Sequence, residues 1–230
     1  MAKKKITRRD LKKPDEVLTF LGKVSRYILE NQKKVATLFG GIFLIVALGY
    51  GIRSYKNSVE AKEHRSLWSI VNTIPPLQGK IEGEKNLILI KNELSNLSKT
   101  ASTNFVRTYS NYFIAVIDLR LSYYNDAVEK YLSLTGTDLL GPEIKYSSSM
   151  GLAYSYEALK NFDKAIHYYG EAASITNDPY RKGAALYGSA RCYELLGNQK
   201  KAMETYKIII KDLPGYPDIG FIKVRLSSIS

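Results

Sequence analysis

The strongest constraint on the fold is a residue pattern that recurs along the second half of the chain. The stretches "MGLAYSYEALKNFDKAIHYYGEAASI", from Met150, and "YGSARCYELLGNQKKAMETYKIII", from Tyr187, place small and aromatic residues in the same order, offset by 37 positions. The matched pairs are Ala153 with Ala190, Tyr156 with Tyr193, Ala165 with Ala202, and Tyr169 with Tyr206. A weaker copy 38 positions earlier contributes Ala115, Ala127 and Tyr131. A period in this range indicates an array of similar units.

Packing of helix pairs explains the pattern. A small residue lets two helices approach closely, and tyrosines fill the remaining spaces between helices. One pair cannot bury its own apolar face, so neighbouring pairs must stack into a solenoid. Glycines and prolines fall at segment boundaries, and apolar residues between them follow helical spacing. The sequence therefore predicts an all-α fold, closed after Pro217 by an amphipathic capping helix.

The last copy resembles the tetratricopeptide repeat family. The resemblance covers residues 182 to 215 and rests on Ala190, Tyr193, the turn glycine Gly197, Ala202, Tyr206 and the closing Pro214. The middle copy departs from the family at Lys160, where a turn glycine is usual, and at Asn177, where a proline is usual. The first copy has Asp118 at an aromatic position. The resemblance implies a tetratricopeptide-like, partner-binding helical solenoid over residues 105–230.

An uncharged apolar run lies upstream of the repeats. Residues 35–52, inside "KKVATLFGGIFLIVALGYGIRSYK", would form a helix about 27 Å long, close to the hydrocarbon thickness of about 30 Å. The run is apolar on all sides, unlike a surface helix of a globular domain. The 34 preceding residues exceed the short leader of a secretory signal. We expect a retained single transmembrane helix, with a buried core helix as the alternative.

Small residues recur along one side of this run. If the run is helical, they form a face that another membrane helix can approach closely. The residues of this transmembrane packing face are Ala36, Gly40, Ala47 and Gly51.

Charge is concentrated before the apolar run. Residues 1–34 hold 11 Lys and Arg against 4 acids, whereas residues 53–230 hold 23 against 18. Within this basic tail, Val17, Phe20, Leu21, Val24 and Ile28 indicate an amphipathic helix whose cations would meet anionic lipids. The charge bias predicts a cytoplasmic N-terminus. A basic arm that binds nucleic acid is the alternative, but topology accounts for the same charges, so we expect no nucleic-acid partner.

Residues suited to catalysis are sparse. The two histidines, His64 and His167, lie about a hundred positions apart, and neither has a Cys or paired carboxylates at ligand spacing. We find neither a phosphate-binding glycine loop nor a GxSxG motif. The single Cys192 lies within a repeat helix and is interpreted as a small core residue. We therefore expect no enzymatic activity, no metal and no cofactor.

Partner binding is expected on first-helix positions of each repeat that are not packing positions. Tyrosine offers an apolar face with a polar tip and arginine a planar fork, a combination suited to an extended peptide or a partner helix. Fifteen of the 18 tyrosines lie between residues 105 and 216, so filling of the space between repeats is the alternative role. The predicted groove residues are Tyr109, Tyr112, Arg120, Met150, Tyr154, Glu157, Tyr187, Arg191 and Glu194.

The whole layout has four segments: a basic cytoplasmic tail with an amphipathic helix (1–34), a span (35–52), a helical linker or degenerate repeat (53–104), and repeats with a capping helix (105–230). This layout resembles the bacterial YfgM-type family, an ancillary subunit of the Sec translocon. The resemblance implies a location in the bacterial inner membrane, a periplasmic C-terminal domain, and translocon subunits or periplasmic chaperones as partners.

Two functions follow as hypotheses. One is a membrane-anchored protein–protein interaction module, a scaffold or chaperone-like accessory subunit of the protein export or envelope assembly machinery. The other is a structural, self-associating spacer subunit of an oligomeric envelope complex, which would make the protein a homo-oligomer.

The charge bias yields a topology prediction. A reporter fused after Ser230 should be active outside the cytoplasm, and protease added from that side should digest the repeats while leaving the N-terminal 34 residues intact. A cytoplasmic C-terminus would contradict both functional hypotheses.

Overall fold

The computed structural model describes residues 16–75, 82–137 and 139–229, and for residues 16–19 and 82 it describes the backbone only. These ranges contain ten α-helices and no strand. The first fifteen residues of the predicted basic tail lie outside the described residues. The helix bounds are α1 Glu16–Glu30, α2 Gln32–Val71, α3 Glu82–Thr100, α4 Asn104–Arg120, α5 Tyr124–Leu134, α6 Pro142–Ala158, α7 Phe162–Ile175, α8 Pro179–Leu195, α9 Gln199–Asp212 and α10 Ile219–Ile229.

The chain divides into two compact units, of which the first ends at Ser58. It contains α1 and the apolar part of α2. The most apolar stretch of α2 has the length and composition needed to cross a membrane, and none of that stretch is buried. Phe39, Phe43 and Ile45 are all exposed. The helix is longer than the predicted span of residues 35–52, because it continues to Val71.

The second unit, Val59–Ser230, contains the end of α2 and all later helices. From α3 onward each helix contacts the next in the chain, and α4, α6 and α8 each pair with the helix that follows. Within the predicted linker, α2 contributes Leu67 and α3 contributes Leu87 and Leu94 to a core shared with Ile114 and Ile117 of α4. This segment therefore extends the hydrophobic core before the first repeat.

A carboxylate joins the end of α2 to the start of α4. Glu63 accepts hydrogen bonds from the backbone N–H groups of Ser102 and Thr103, at 2.7 and 3.2 Å, and from both their hydroxyls. Desolvation raises the pKa of Glu63, but these hydrogen bonds outweigh it and lower the pKa to about 2. Glu63 thus satisfies backbone donors at the beginning of α4, where the helix itself supplies no acceptor.

The turn inside each helix pair has one residue in the left-handed region. These residues are Ser122 (φ 62°), Lys160 (φ 59°) and Gly197 (φ 73°). At each turn this residue donates to the carbonyl three positions back, for example Lys160 N to Glu157 O at 2.9 Å. Lys160 thus adopts the turn conformation without a glycine, at a cost of about 1–2 kcal/mol for a side chain in this region.

The departure at Asp118 also has a structural reason. Asp118 of α4, at the position that is aromatic in the later copies, is fully buried and forms an ion pair with Lys91 of α3. Desolvation raises the pKa of Asp118, and Lys91 opposes that shift. The first repeat therefore uses this position for a charged contact with the preceding helix instead of an aromatic one.

The repeat residues lie in the core as the packing interpretation predicts. The six alanines at matched positions of the first and second helices are fully buried, and the three matched second-helix tyrosines are nearly so. The alanines are Ala115, Ala127, Ala153, Ala165, Ala190 and Ala202, and the tyrosines are Tyr131, Tyr169 and Tyr206.

Two glycines, which the sequence reasoning did not single out, receive these tyrosines. A Cβ at Gly151 would lie 2.4 Å from the Tyr131 ring, and a Cβ at Gly188 would lie 2.5 Å from the Tyr169 ring. Each glycine belongs to the first helix of the next pair, so each contact joins one repeat to its neighbour. The absence of a side chain at these positions lets the ring lie directly against the helix backbone.

This contact predicts a loss of stability for Gly188→Ala. The methyl group would collide with the buried Tyr169 ring, and overpacking of this kind costs about 1–3 kcal/mol. Gly170→Ala in α7 is the matched control, because nothing lies within 4 Å of a Cβ there and alanine favours a helix by about 1 kcal/mol. Urea unfolding of the Val59–Ser230 unit should show opposite shifts for the two variants. Equal shifts would contradict the glycine–tyrosine contact.

Candidate partner-binding surface

The predicted groove residues occupy four kinds of environment. Tyr112 and Met150 are buried in the repeat core, where Tyr112 packs against Tyr131. Neither offers area to a partner, so their prediction as groove residues is corrected. Both belong to the hydrophobic core that α4, α5 and α6 share.

Tyr109 and Arg120 are held by the preceding segment. The Tyr109 ring stacks on Phe105 with centroids 4.2 Å apart and contacts Trp68 of α2 edge-on. Arg120 Nη1 donates to the Pro75 carbonyl at 2.8 Å. Both side chains therefore make contacts between the first repeat and the segment that precedes it.

Glu157, Tyr169 and Arg191 connect α6, α7 and α8. Arg191 donates from Nε and Nη2 to the two carboxylate oxygens of Glu157, each at 2.7 Å, in a bidentate pair. The Tyr169 hydroxyl donates to Glu157 Oε2 at 2.6 Å. Burial raises the pKa of Glu157, but the hydrogen bonds from Arg191 and Tyr169 lower it by more than burial raises it. The net pKa is therefore below the ordinary value, and the carboxyl is ionised at neutral pH.

The same arrangement recurs one repeat later. The Tyr206 hydroxyl donates to Glu194 Oε1 at 2.7 Å, and Arg225 Nε of α10 lies 3.1 and 3.0 Å from the two oxygens of Glu194. Burial raises the pKa of Glu194, and the bonds from Arg225 and Tyr206 lower it to a net value below the ordinary range. The sequence contains a signal for this repetition, because Glu157 and Glu194 are 37 positions apart, as are Tyr169 and Tyr206.

These contacts change the role of the predicted acidic groove residues. The charge of Glu157 is already neutralised by Arg191 of α8, and that of Glu194 by Arg225 of the capping helix α10. Charge-assisted bidentate pairs are stronger than neutral hydrogen bonds. Glu157 and Glu194 therefore join successive repeats and present little free charge to a partner.

Exposed and half-buried aromatic and apolar side chains remain on the first helices α6 and α8 and on the capping helix α10. Tyr154 is 43% exposed, and the Tyr187 ring lies under the Arg191 guanidinium at 5.6 Å. The Tyr187 ring also contacts Phe221 of α10, with centroids 6.1 Å apart. Phe221 is 56% and Val224 67% exposed. We call Tyr154, Tyr187, Arg191, Phe221 and Val224 the first-helix surface.

Phe221 and Val224 were missed by sequence reasoning. They fall within the predicted capping helix, whose Ile219, Ile222, Leu226 and Ile229 pack on the core, and the sequence reasoning gives Phe221 and Val224 no role. In the structure Ile222 alone of these neighbours is fully buried, and Phe221 and Val224 point to solvent. The signal was present, because Val224 follows Tyr187 by one repeat length.

The thiol and the ionisable residues show no arrangement for metal binding in the described part of the chain. No group of three or more His, Cys, Asp and Glu side chains there is placed to hold an ion. Cys192 is a free, buried thiol. Burial raises the pKa of Cys192 to about 12, so it is protonated at neutral pH and lacks the thiolate needed for nucleophilic attack.

Two family models describe the repeats. Both are models of the tetratricopeptide repeat, one matching residues 146–179 and the other residues 184–216. Residues 146–179 and 184–216 are therefore each similar to a tetratricopeptide repeat. They correspond to the pairs α6–α7 and α8–α9, and together cover less than a third of the chain. A comparison with curated proteins gave no match. Tetratricopeptide repeats indicate a protein–protein interaction module.

The Glu157 pair predicts a pH-dependent stability. The native pKa of Glu157 lies below its unfolded value of about 4.3, so the stabilisation is present above that pH and is lost as the pH falls through the native pKa. Glu157→Gln should destabilise the Val59–Ser230 unit by about 1–3 kcal/mol at pH 7, and by less at pH 3. Urea unfolding at both pH values tests this. Glu204→Gln, at an exposed site of α9, is the control and should change little at either pH.

Proposed function

We propose that the protein is a membrane-anchored interaction module whose first-helix surface binds a protein segment. The observation that carries this proposal is the set of exposed side chains Tyr154 of α6 and Phe221 and Val224 of α10, with the half-buried Tyr187 of α8 in ring contact with Phe221. Tetratricopeptide repeats at α6–α9 support a protein ligand. Tyrosine, arginine and phenylalanine are residue types typical of protein interfaces.

The chemistry of the surface favours an apolar ligand. Arg191 is paired with Glu157, and Arg225 with Glu194, so recognition depends mainly on the rings of Tyr154, Tyr187 and Phe221. An amphipathic helix or an extended peptide with bulky apolar residues fits such a surface. Because few free charges take part, binding should depend weakly on salt.

The anchor in this proposal is the apolar part of α2. It is long and apolar enough to span a membrane, and its side chains are exposed in the structure. The basic tail would lie in the cytoplasm, with the exposed Phe20, Leu21 and Ile28 of α1 on the lipid surface and nearby Lys23 and Arg26 at anionic headgroups. The second unit, including the repeats, would then lie in the periplasm, at the bacterial inner membrane.

The proposed place of action is the protein export or envelope assembly machinery. Its support is the layout of basic tail, apolar helix, linker and repeats, which resembles the YfgM-type ancillary subunits of the Sec translocon. Translocon subunits and periplasmic chaperones are the candidate partners. In this role the protein would act as a scaffold or chaperone-like accessory subunit.

A second candidate function is a self-associating spacer subunit. It is favoured by the small-residue face of α2, where Ala36, Gly40, Ala47 and Gly51 are exposed and nothing lies within 4 Å of a Cβ at either glycine. Such a face permits close approach of a second copy within the membrane. Here the repeats would hold subunits apart instead of binding a different protein.

Crosslinking of the full chain in its membrane separates the two functions. The double variant Phe221→Ser and Val224→Ser removes two exposed anchors and should lower heterologous crosslinking about tenfold or more, since interface anchors contribute 2 kcal/mol or more when they are central. Ile208→Ser on the second helix α9 also removes an exposed apolar side chain and is the matched control. Equal loss in both variants would contradict recognition by the first-helix surface.

The same experiment includes a membrane arm. Gly40→Leu should leave heterologous adducts unchanged if the first-helix surface is responsible. Adducts between copies only, abolished by Gly40→Leu, would instead establish the spacer function.

A further inference from the structure

The chain after the apolar run carries its net charge at its C-terminal end. Residues 53–178 hold 14 Lys and Arg against 14 acids, whereas residues 179–230 hold 9 against 4. The three arginines of this last segment are each paired with a glutamate of an earlier helix. The excess positive charge therefore lies on lysines.

Three of these lysines line one side of the second helix α9. Lys200, Lys207 and Lys211 lie within about 40° of one another around the helix axis and span about 16 Å along it. They point away from the core, because the buried Ala202 and Ile209 occupy the opposite side of α9. All three lysines are exposed, and none forms an ion pair with another described residue. We call these three residues the lysine stripe.

The packing of the repeat does not require the lysine stripe. At the positions 37 residues earlier, the second helix α7 has Asp163, Gly170 and Ser174, all exposed. A second helix therefore packs in the same way without a cation at these positions. Lys207 and Lys211 are four residues apart, and like charges at this spacing destabilise a helix. An anionic ligand would relieve this repulsion.

The narrow width of the lysine stripe favours a protein segment over a lipid surface. Helix α7 exposes Asp163 and Glu171, and α9 itself exposes Glu204 beside the stripe. A flat anionic membrane that covers α7 and α9 would meet these carboxylates together with the lysines and would be repelled by them. A ligand only one helix or one strand wide can follow the lysines and avoid the acids.

We propose that the lysine stripe binds an acidic protein segment with at least three Asp or Glu side chains on one side over about 16 Å. An α-helix with acids at positions i, i+7 and i+11 has this spacing. Lysine ammonium groups act as point charges on flexible stems, so they tolerate small differences in the positions of the carboxylates. Complementary charge would fix the orientation of the segment along α9.

This inference does not depend on the function proposed above. The lysine stripe belongs to α9, and none of its residues is part of the first-helix surface. Binding at exposed charges should weaken strongly as salt is added, whereas binding at the first-helix surface should depend weakly on salt. Failure at one surface therefore leaves the other unaffected.

The test uses methyl NMR of the full chain in uncharged detergent micelles, with isoleucine methyl groups labelled. Ile208 of α9 lies next to Lys207 and is exposed, so it reports binding at the lysine stripe separately from binding at the basic tail. The probe is an alanine-rich helical peptide with glutamates at i, i+7 and i+11. It should cause saturable shifts at Ile208 that weaken with salt, and a peptide with glutamines at these positions should not.

Variants locate the binding site. The triple variant Lys200→Gln, Lys207→Gln and Lys211→Gln should weaken binding of the acidic peptide about tenfold, because three exposed ion pairs are lost. Glutamine has nearly the helix propensity of lysine, so α9 should stay folded. The matched control removes the same charge from exposed positions of α3 and α6 and should leave binding unchanged. Its substitutions are Lys85→Gln, Lys99→Gln and Lys145→Gln.

Three results would overturn the proposal. They are no saturable shift at Ile208, equal binding of the glutamate and glutamine peptides, and equal weakening in the stripe variant and its control. A lipid arm adds short-chain phosphatidylglycerol in place of the peptide. Shifts at Ile208 with this lipid but not with the acidic peptide would assign the lysine stripe to a membrane surface and would also overturn the proposal.

Discussion

The repeat array depends on the contact between a tyrosine of one second helix and a glycine of the next first helix. Tyr169 lies so close to Gly188 that any side chain at that glycine would overlap the ring, and Tyr131 and Gly151 repeat the contact one unit earlier. The hydroxyl of the same Tyr169 donates to Glu157. One side chain thus fills the space between repeats and also positions the carboxylate that binds Arg191. Close packing and the ion pair are consequences of the same placement.

This construction decides which first-helix residues remain for a partner. Glu157 and Glu194 are paired with arginines, and two other predicted groove residues, Tyr112 and Met150, are buried in the core. What remains exposed is aromatic and apolar, and it is concentrated toward α10, where no further helix of the described chain covers the capping helix. A terminal helix usually carries a polar outer face for solubility, so exposed Phe221 and Val224 are consistent with a surface that is covered by another molecule.

The first unit follows different physical requirements. Its apolar side chains point outward along α2, an arrangement that is costly in water and favourable in a hydrocarbon environment. Glycines at positions 40 and 51 make no close contact in the structure, so they differ from Gly151 and Gly188, whose missing side chains are required by a neighbouring ring. The same residue type therefore has a defined packing role only in the second unit.

The sequence by itself determined the helical class, the position of the repeats and the apolar run, because these depend on periodicity and on local residue size. It identified Ala153, Ala190, Tyr169 and Tyr206 as packing residues, and their burial in the structure agrees with that interpretation. It also identified Lys160 and Asp118 as departures without giving their reasons. Those reasons are a turn conformation and an ion pair with another helix, which a residue pattern does not contain.

The tertiary structure alone decided which first-helix side chains are free. Tyr112 and Tyr154 are both first-helix tyrosines assigned to the groove, yet the first is buried and the second exposed. They occupy different positions of the repeat, since Tyr112 matches Met150 and Tyr154 matches Arg191. Glu157 and Arg191 are 34 positions apart and meet only when α6 and α8 lie side by side. Such features depend on contacts distant in the sequence, whereas helix formation depends on neighbours along the chain.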